Sequence, residues 1–359
     1  MTRSARFLTL AALAAGLVSP RLASACDSAS CVIVTRGQDG VGKGAFAVNL
    51  SFRYTSESKR LEGSSTTDTV VIPRIDFDGE RILPGFHNER TGDINSLQAD
   101  VAYGLTSRLS LQASIPLFTR KAYAHTHLPV TTPPPTDPPT GGEPLPDDGH
   151  GGHGGPAAPL PVDREYRADG FGDTLVGVGY ALWGSGSQRL TAAAALKLPT
   201  GESELPNVYD GGLHDPMLQP GTGSLDYIVA AAYVHGGAPL SWAATASYQI
   251  TTANELDYEF GDETIIGLGV TRTLRAVYSR SMVSASVQVK GHFRGRSSYL
   301  GRPVPSTGGQ MIILSPGLRF TTPGGTGFYT YLQLPVYRYV NDAQLSTRAA
   351  LLAGVAKAF

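Results

Sequence analysis

No stretch of this 359-residue chain offers the about 18 consecutive apolar side chains that a membrane helix requires, so a helical span is excluded. Charge is scarce too. Asp, Glu, Lys and Arg make up 16% of the residues and sum to a net −1, which leaves no basic surface for nucleic acid. Cysteine is nearly missing: the two present, Cys26 and Cys31, make an incomplete zinc set by themselves. In an oxidising compartment they fit a small disulfide loop. A loose lipobox, Leu22-Ala23-Ser24-Ala25-Cys26, offers lipidation of Cys26 as the alternative. The chain also lacks a G-x-S-x-G nucleophile motif, and no strand sets a His two residues before a Ser with an Asn nearby. A barrel-type lipase needs such a Ser–His pair, so no enzyme is expected.

What is present begins with an export signal. Arg3 and Arg6 precede a short apolar core, Phe7 to Val18, and Ala23-Ser24-Ala25 gives a small-x-small cleavage site. Residues 1–25 are therefore expected to be removed, leaving 26–43 as a short periplasmic segment with the Cys pair before a barrel over 44–359.

From residue 44 the chain alternates apolar with polar or small residues, the period of a half-buried strand. Phe46, Val48, Leu50, Phe52 and Tyr54 share one face, Asn49, Ser51 and Arg53 the other. Similar segments lie near 95–105, 107–121, 173–183, 188–199, 225–236, 239–252, 262–272, 279–293, 309–321, 326–339 and 346–359. That gives twelve strands, an even number as in bacterial single-chain barrels. A thirteenth β-prone stretch, Thr69 to Phe77, is expected in a loop as a hairpin arm above the membrane. The fold class expected is all-β, a transmembrane antiparallel up-and-down barrel.

Connections alternate in length. Long ones are expected at 56–94, 122–172, 200–224, 253–261, 294–308 and 340–345, and short ones near 105–107, 184–187, 237–238, 273–278 and 322–325. Outer-membrane barrels show this asymmetry, with long outer loops and short periplasmic turns. The last strand ends on Phe359, with Lys357, Val355, Ala353 and Leu351 on its face. This resembles the terminal signature that barrel-insertion machinery reads, which makes that machinery and outer-membrane lipid the expected partners. Tyr54, Tyr103, Tyr180, Trp183, Tyr227, Tyr233, Trp242, Tyr248 and Phe328 fall at or near strand ends, as a girdle would.

If the apolar face meets lipid, the other face lines a lumen. Arg53, Arg108, Lys197, Lys290, Arg319 and Arg348 are read as inward, with Asp100 and Asp226 the main inward acids. Basic rings favour anions, whereas paired charges brace the wall; both readings stand at this point. Small residues between them, such as Gly177, Gly179, Ala193, Ala195, Gly267 and Gly269, are expected to leave room for solute or a plug. The loop at 122–172 is rich in Pro and Gly and carries His125, His127, His150 and His153, with Asp147-Asp148 before the last two. His-rich tracts read as transition-metal ligands or as a solvated loop. No other cofactor is expected.

Three motifs point to a family. Gly170-Phe171-Gly172-Asp173 opens a strand, Leu198-Pro199-Thr200-Gly201 closes the next, and Gly221-Thr222-Gly223-Ser224 with Asp226 opens the one after. Over about 170–359 the chain resembles the outer-membrane MetA-pathway of phenol degradation family, which is similar to FadL-like hydrophobic-substrate channels. The resemblance implies a transport-type barrel in the outer membrane. The Pro/Gly/His loop is outside that pattern, and no N-terminal hatch is evident. The motifs read equally as rim-shaping turns. The expected function is passage of a small, hydrophobic or aromatic solute; the alternative is a surface metal binder without transport.

Overall fold

The computed structural model describes residues 42–127, 162–209, 211–274 and 281–359. The signal peptide, the Cys26–Cys31 pair, His150 and His153 lie outside them. Twelve long strands build the wall: β1 (Phe46–Glu62), β2 (Arg81–Gly104), β3 (Leu109–His127), β4 (Thr174–Ser185), β5 (Gln188–Leu198), β6 (Asp226–His235), β7 (Leu240–Ile250), β8 (Glu263–Leu274), β9 (Met282–Arg294), β10 (Gly309–Thr321), β11 (Gly327–Val340) and β12 (Ala343–Ala358). Each pairs antiparallel with its sequence neighbour, and β1 also pairs β12, which closes the sheet. Phe46 and Phe359 exchange backbone hydrogen bonds of 2.8 and 3.3 Å at the seam. The Lys357 ammonium folds back over the Phe359 ring at 4.9 Å, which gives this charge on the apolar face a partner.

The wall is apolar outside and polar inside. Leu268 and Val336, each 61% accessible, stand outward with Phe52, Leu111, Val229 and Leu351, while Asn49, Gln112, Ser114, Ser286 and Gln333 are buried inside. An outward band of this kind is covered only by lipid, and a closed ladder leaves no backbone group unpaired within it. Aromatic rings mark both edges. Phe46, Tyr103, Tyr180, Trp183, Trp242 and Phe328 ring the end with the short turns, and Tyr54, Tyr227 and Tyr248 the other. The Tyr54 and Tyr248 hydroxyls donate to Asp93 and Asp262 at 2.6 and 2.5 Å, the position an interfacial phenol prefers.

Three expectations need correction. The outer loop expected at 56–94 is mostly strand, because β1 and β2 stay paired beyond the band, up to Glu57 opposite Gly92. Likewise β3 runs on to His127 and pairs with a further strand, Val162–Gly170. Above the lipid both faces of a sheet can be polar, so the apolar period stops while the ladder continues. The long connection expected at 340–345 is a two-residue turn, Asn341-Asp342, with Asp342 at φ 56°. The hairpin arm expected near Thr69–Phe77 is present as Val71–Asp76, paired with the outer part of β2.

Replacing Leu268 by Arg tests the lipid-facing assignment. In a water-soluble sheet this exposed substitution is close to neutral. On the lipid face of a barrel, near mid-bilayer, it costs about 2–4 kcal/mol. Urea titration of tryptophan fluorescence in vesicles measures the difference, and an unchanged midpoint argues against the band.

Candidate functional site

The three glycine motifs, far apart in sequence, meet at the upper wall. Asp173 follows Gly170-Phe171-Gly172, where pairing with β3 breaks between Gly170 and Leu175 opposite Pro116. Its carboxylate accepts the backbone N–H groups of Gly201 and Thr222 at 3.0 and 2.8 Å and the Thr222 hydroxyl at 2.7 Å. Asp226 accepts from the Ser224 hydroxyl at 2.9 Å, the Gln249 amide at 2.8 Å and the Thr252 N–H at 3.1 Å. The Lys197 ammonium lies between them, 2.5 Å from Asp226 and 3.5 Å from Asp173, and also donates to Thr222 and Ser224. Gly201 and Gly221 cross so closely that a Cβ on Gly201 would sit 2.8 Å from the Gly221 Cα. The motifs are therefore a clasp that anchors both ends of the 199–225 connection. Their glycines are needed for backbone approach.

A second buried carboxylate, Asp100, accepts from Asn49, Gln98 and Ser114 at 2.8, 2.7 and 2.7 Å. Tyr329 donates to Asn49 at 2.8 Å, tying β11 to β1 and β2 across the lumen side. Arg53 stands within electrostatic reach of Asp100 and Tyr329, and the Arg319 guanidinium lies 6.0 Å from the Tyr329 ring centre. Lys290, 2% accessible, points inward beside Gly267.

Arg53, Asp100 and Arg319 thus gather near Tyr329, Lys197 pairs with Asp226, and Lys290 occupies another sector. Arg348 departs from the expectation: it is exposed, because the β1–β12 register shifts there and Thr347, not Arg348, faces the inward Glu57. Arg108 is exposed in a turn. The small residues leave less room than expected, since a Cβ on Gly179 would meet the Gln112 amide at 2.7 Å.

Above the lipid band, ended by Tyr54, Asn95 and Phe118, a third group forms. His125 and His127 do come together, joined by His87 from β2 and His214 from the 199–225 connection. The His87 and His125 rings stack at 4.6 Å, and Tyr166 packs against His125 at 5.2 Å and His214 at 6.0 Å. The Tyr166 hydroxyl bonds His127 Nε2 at 2.7 Å. Among the described residues no group of three or more His, Cys, Asp or Glu is arranged to hold a metal ion. Parallel stacked imidazoles direct their lone pairs side by side instead of to one point. The connection is drawn into the mouth beside this group: the Lys121 ammonium donates to the Met217 and Gln219 carbonyls at 2.9 and 2.7 Å, and Tyr209 to the Glu165 carbonyl at 2.9 Å. Sequence reading missed this role of Lys121, whose only signal was a charge just beyond the apolar stretch of β3.

No family model and no curated protein sequence matches the chain. Among solved structures, an outer-membrane channel from Pseudomonas putida F1 is similar with a TM-score of 0.51 at 14% identity, over 95% of this chain and 100% of that one. At that identity the likeness establishes the fold. The β-domain of the Bordetella autotransporter BrkA (TM-score 0.41, 10% identity, 89% of this chain and 100% of that one) and the Ralstonia pickettii toluene transporter TbuX (0.38, 11%, 89% and 90%) are more distant.

Asp226→Ala removes the nearer carboxylate of the buried Lys197 ammonium, leaving Asp173 at 3.5 Å, and is expected to cost about 3 kcal/mol, part of it regained in Asp226→Leu/Lys197→Met. Chemical unfolding of the three proteins in detergent measures both steps; equal losses in single and double variants argue against a paired charge. The histidine group sets a pH optimum. Burial raises the Glu89 carboxyl to about 8, helped by Asp215 and Glu57, and lowers His87 and His125 to about 4 and about 3. Stabilisation through neutral Glu89 is complete below its ordinary 4.5 and is lost as pH rises through about 8. Stabilisation through the neutral imidazoles is complete above 6.5 and is lost as pH falls through about 4 and then 3. Between 4.5 and 6.5 the two imidazoles gain more than the one carboxyl loses, so hydrogen-exchange protection over residues 119–127, corrected for intrinsic rates, is expected to be greatest near 6.5 and to fall toward about 8 and toward about 4. A monotonic profile contradicts the assignment.

Proposed function

We propose that this chain is an outer-membrane channel for a small uncharged solute, hydrophobic or aromatic in character. The observation that carries this reading is the lining. A closed wall turns its polar side chains inward, and its deepest charges, Lys197 with Asp226 and Asp173, are already engaged with one another. A lining whose charges are largely engaged in ion pairs and hydrogen bonds holds water and polar edges but offers a bare ion little counter-charge, so neutral solutes meet the lower barrier. Of the two lumen readings, wall bracing is the better supported, and Lys290, Arg53 and Arg319 then tune the field along the path. The fold shared with a known outer-membrane channel agrees with this function, as does the resemblance to the MetA-pathway family and its FadL-like relatives.

Export through the signal at residues 1–25 and insertion guided by Phe359 complete the proposal. The transition-metal alternative rests on His125, His127, His150 and His153; of the two described, His125 stacks on His87 and His127 bonds the Tyr166 hydroxyl, which favours packing over ligation.

Proteoliposomes test the function. Those loaded with the purified protein are expected to take up phenol several-fold faster than empty ones, and faster than benzoate of similar size. Rates equal to those of empty liposomes for both solutes remove the channel reading, and faster benzoate entry reverses the proposed selectivity.

A further inference from the structure

An apolar cluster stands where lipid does not require one. Ile75, Tyr258, Tyr299 and Val304 are buried together above the membrane band, with Phe77, Ile82 and Phe260 packed on them. The Phe77 and Tyr299 rings meet edge to face at 5.6 Å, and Tyr258 meets Phe260 at 5.0 Å. The contributors come from different walls. Ile75, Phe77 and Ile82 belong to the hairpin between β1 and β2. Tyr258 and Phe260 lie in the β7–β8 connection, half the circumference away, since β7 is six strands from β1 in either direction. Tyr299 and Val304 lie in the β9–β10 connection. Segments from opposite rims touch only by reaching across the opening.

Each side is separately built. Tyr258–Glu259, Ser298–Tyr299 and Arg302–Pro303 form a small sheet of their own, and the Arg296–Asp342 ion pair fastens it to the β11–β12 turn. On the other side, the Asp76 carboxylate accepts from the Gly79 N–H at 3.0 Å and from Arg81 at 2.8 Å, which stiffens the hairpin tip. Between tip and barrel the ladder is interrupted: Ile72 pairs with His87, but the next pair is Arg74 with Leu83. The bulge lies on the returning strand, where residues 84–86 stand opposite the single Pro73; Pro73 has no N–H to offer, and the site is a natural bending point.

We infer that the hairpin tip beyond this bulge, Arg74–Asp76 paired with Arg81–Leu83, is a hinged lid over the outer mouth. Its Ile75 and Phe77 close onto a fixed receptor formed by Tyr258, Tyr299 and Val304, and it swings on the bulge beside Pro73. This inference rests on the channel reading. At its far edge the lid meets the receptor through the packing of Ile75 and Phe77, which lies outside the barrel ladder, so it releases without breaking that ladder.

The test uses the full-length protein in planar bilayers with potassium chloride, folding being checked by heat-modifiable gel mobility. Tyr299→Ala and Ile75→Asp are expected to raise the open fraction several-fold over the parent. In a Cys26→Ser/Cys31→Ser background, Phe77→Cys/Tyr299→Cys joined by a short reducible bis-thiosulfonate linker is expected to fall below the parent and to recover on reduction. Parent and variants conducting alike, or a linked pair conducting like its reduced form, overturns the lid and leaves the channel standing. Failure of the folded pair to link overturns the packing between hairpin and receptor. Silence of parent and lid-opened variants together overturns the channel reading and the lid with it.

Discussion

In lipid, every backbone N–H and C=O must find its partner within the protein, and this one constraint orders the rest of the structure. A sheet meets it only by closing. The seam where β1 takes β12 as its second neighbour, finished by the Phe46–Phe359 exchange, therefore decides more than any side chain. Closure fixes the face that meets lipid, and period two then fixes every alternate residue as interior. The polar core follows: once Leu50 and Phe52 stand outward, Asn49 and Arg53 have nowhere else to point.

An interior of that kind creates its own demand, because buried charges are costly unless matched. Asp226 and Lys197 face each other directly in register on adjacent strands. Asp173 reaches the same ammonium only because the wall breaks at Gly172, so the irregularity that disturbs the ladder also completes the ion triad. Asp100 is handled differently, by three neutral donors. The two solutions differ in consequence. A carboxylate held by amides and a hydroxyl still attracts the nearby Arg53, whereas the Lys197 triad holds the ends of a connection in place.

The legible parts of the sequence are those that lipid makes regular. Leu109, Leu111, Ala113 and Ile115 alternate because each second side chain faces hydrocarbon, so strand count and face assignment could be read directly. Beyond Tyr54 and Phe118 that pressure ends. The strands continue through Glu62 and His127 with no apolar period, and reading by period alone turns them into loops. Arg348 shows a second blind spot. One bulge changes the parity of everything beyond it, and a bulge between two polar residues leaves no trace in composition. The clasp lay hidden for a third reason. Its glycines were conspicuous, but Asp173 and Thr222 are 49 residues apart, and their meeting depends on the order of strands around the barrel.

The clasp, the histidine stack and the apolar cluster around Tyr258 and Tyr299 all lie toward the outer end, which bears on how selectivity would arise. The turn-side lining draws on Ser110, Gln112, Thr191, Ser241, Ser284 and Ser286, short or neutral groups that tolerate many solutes, with Arg319 in register beside Ser284. Discrimination then falls to the outer groups, each of which joins strands or connections from different sectors. The 199–225 connection links them. It is anchored by the clasp at both ends, gripped by Lys121, packed on Tyr166 through His214, and hydrogen-bonded to the β7–β8 connection through Asn254 and the Thr222 carbonyl. These points are joined by backbone that the barrel ladder does not hold. Rigid wall and adjustable mouth are thus two results of the same rule: satisfaction within the strand ladder is compulsory in lipid, and above it side chains and water can take over.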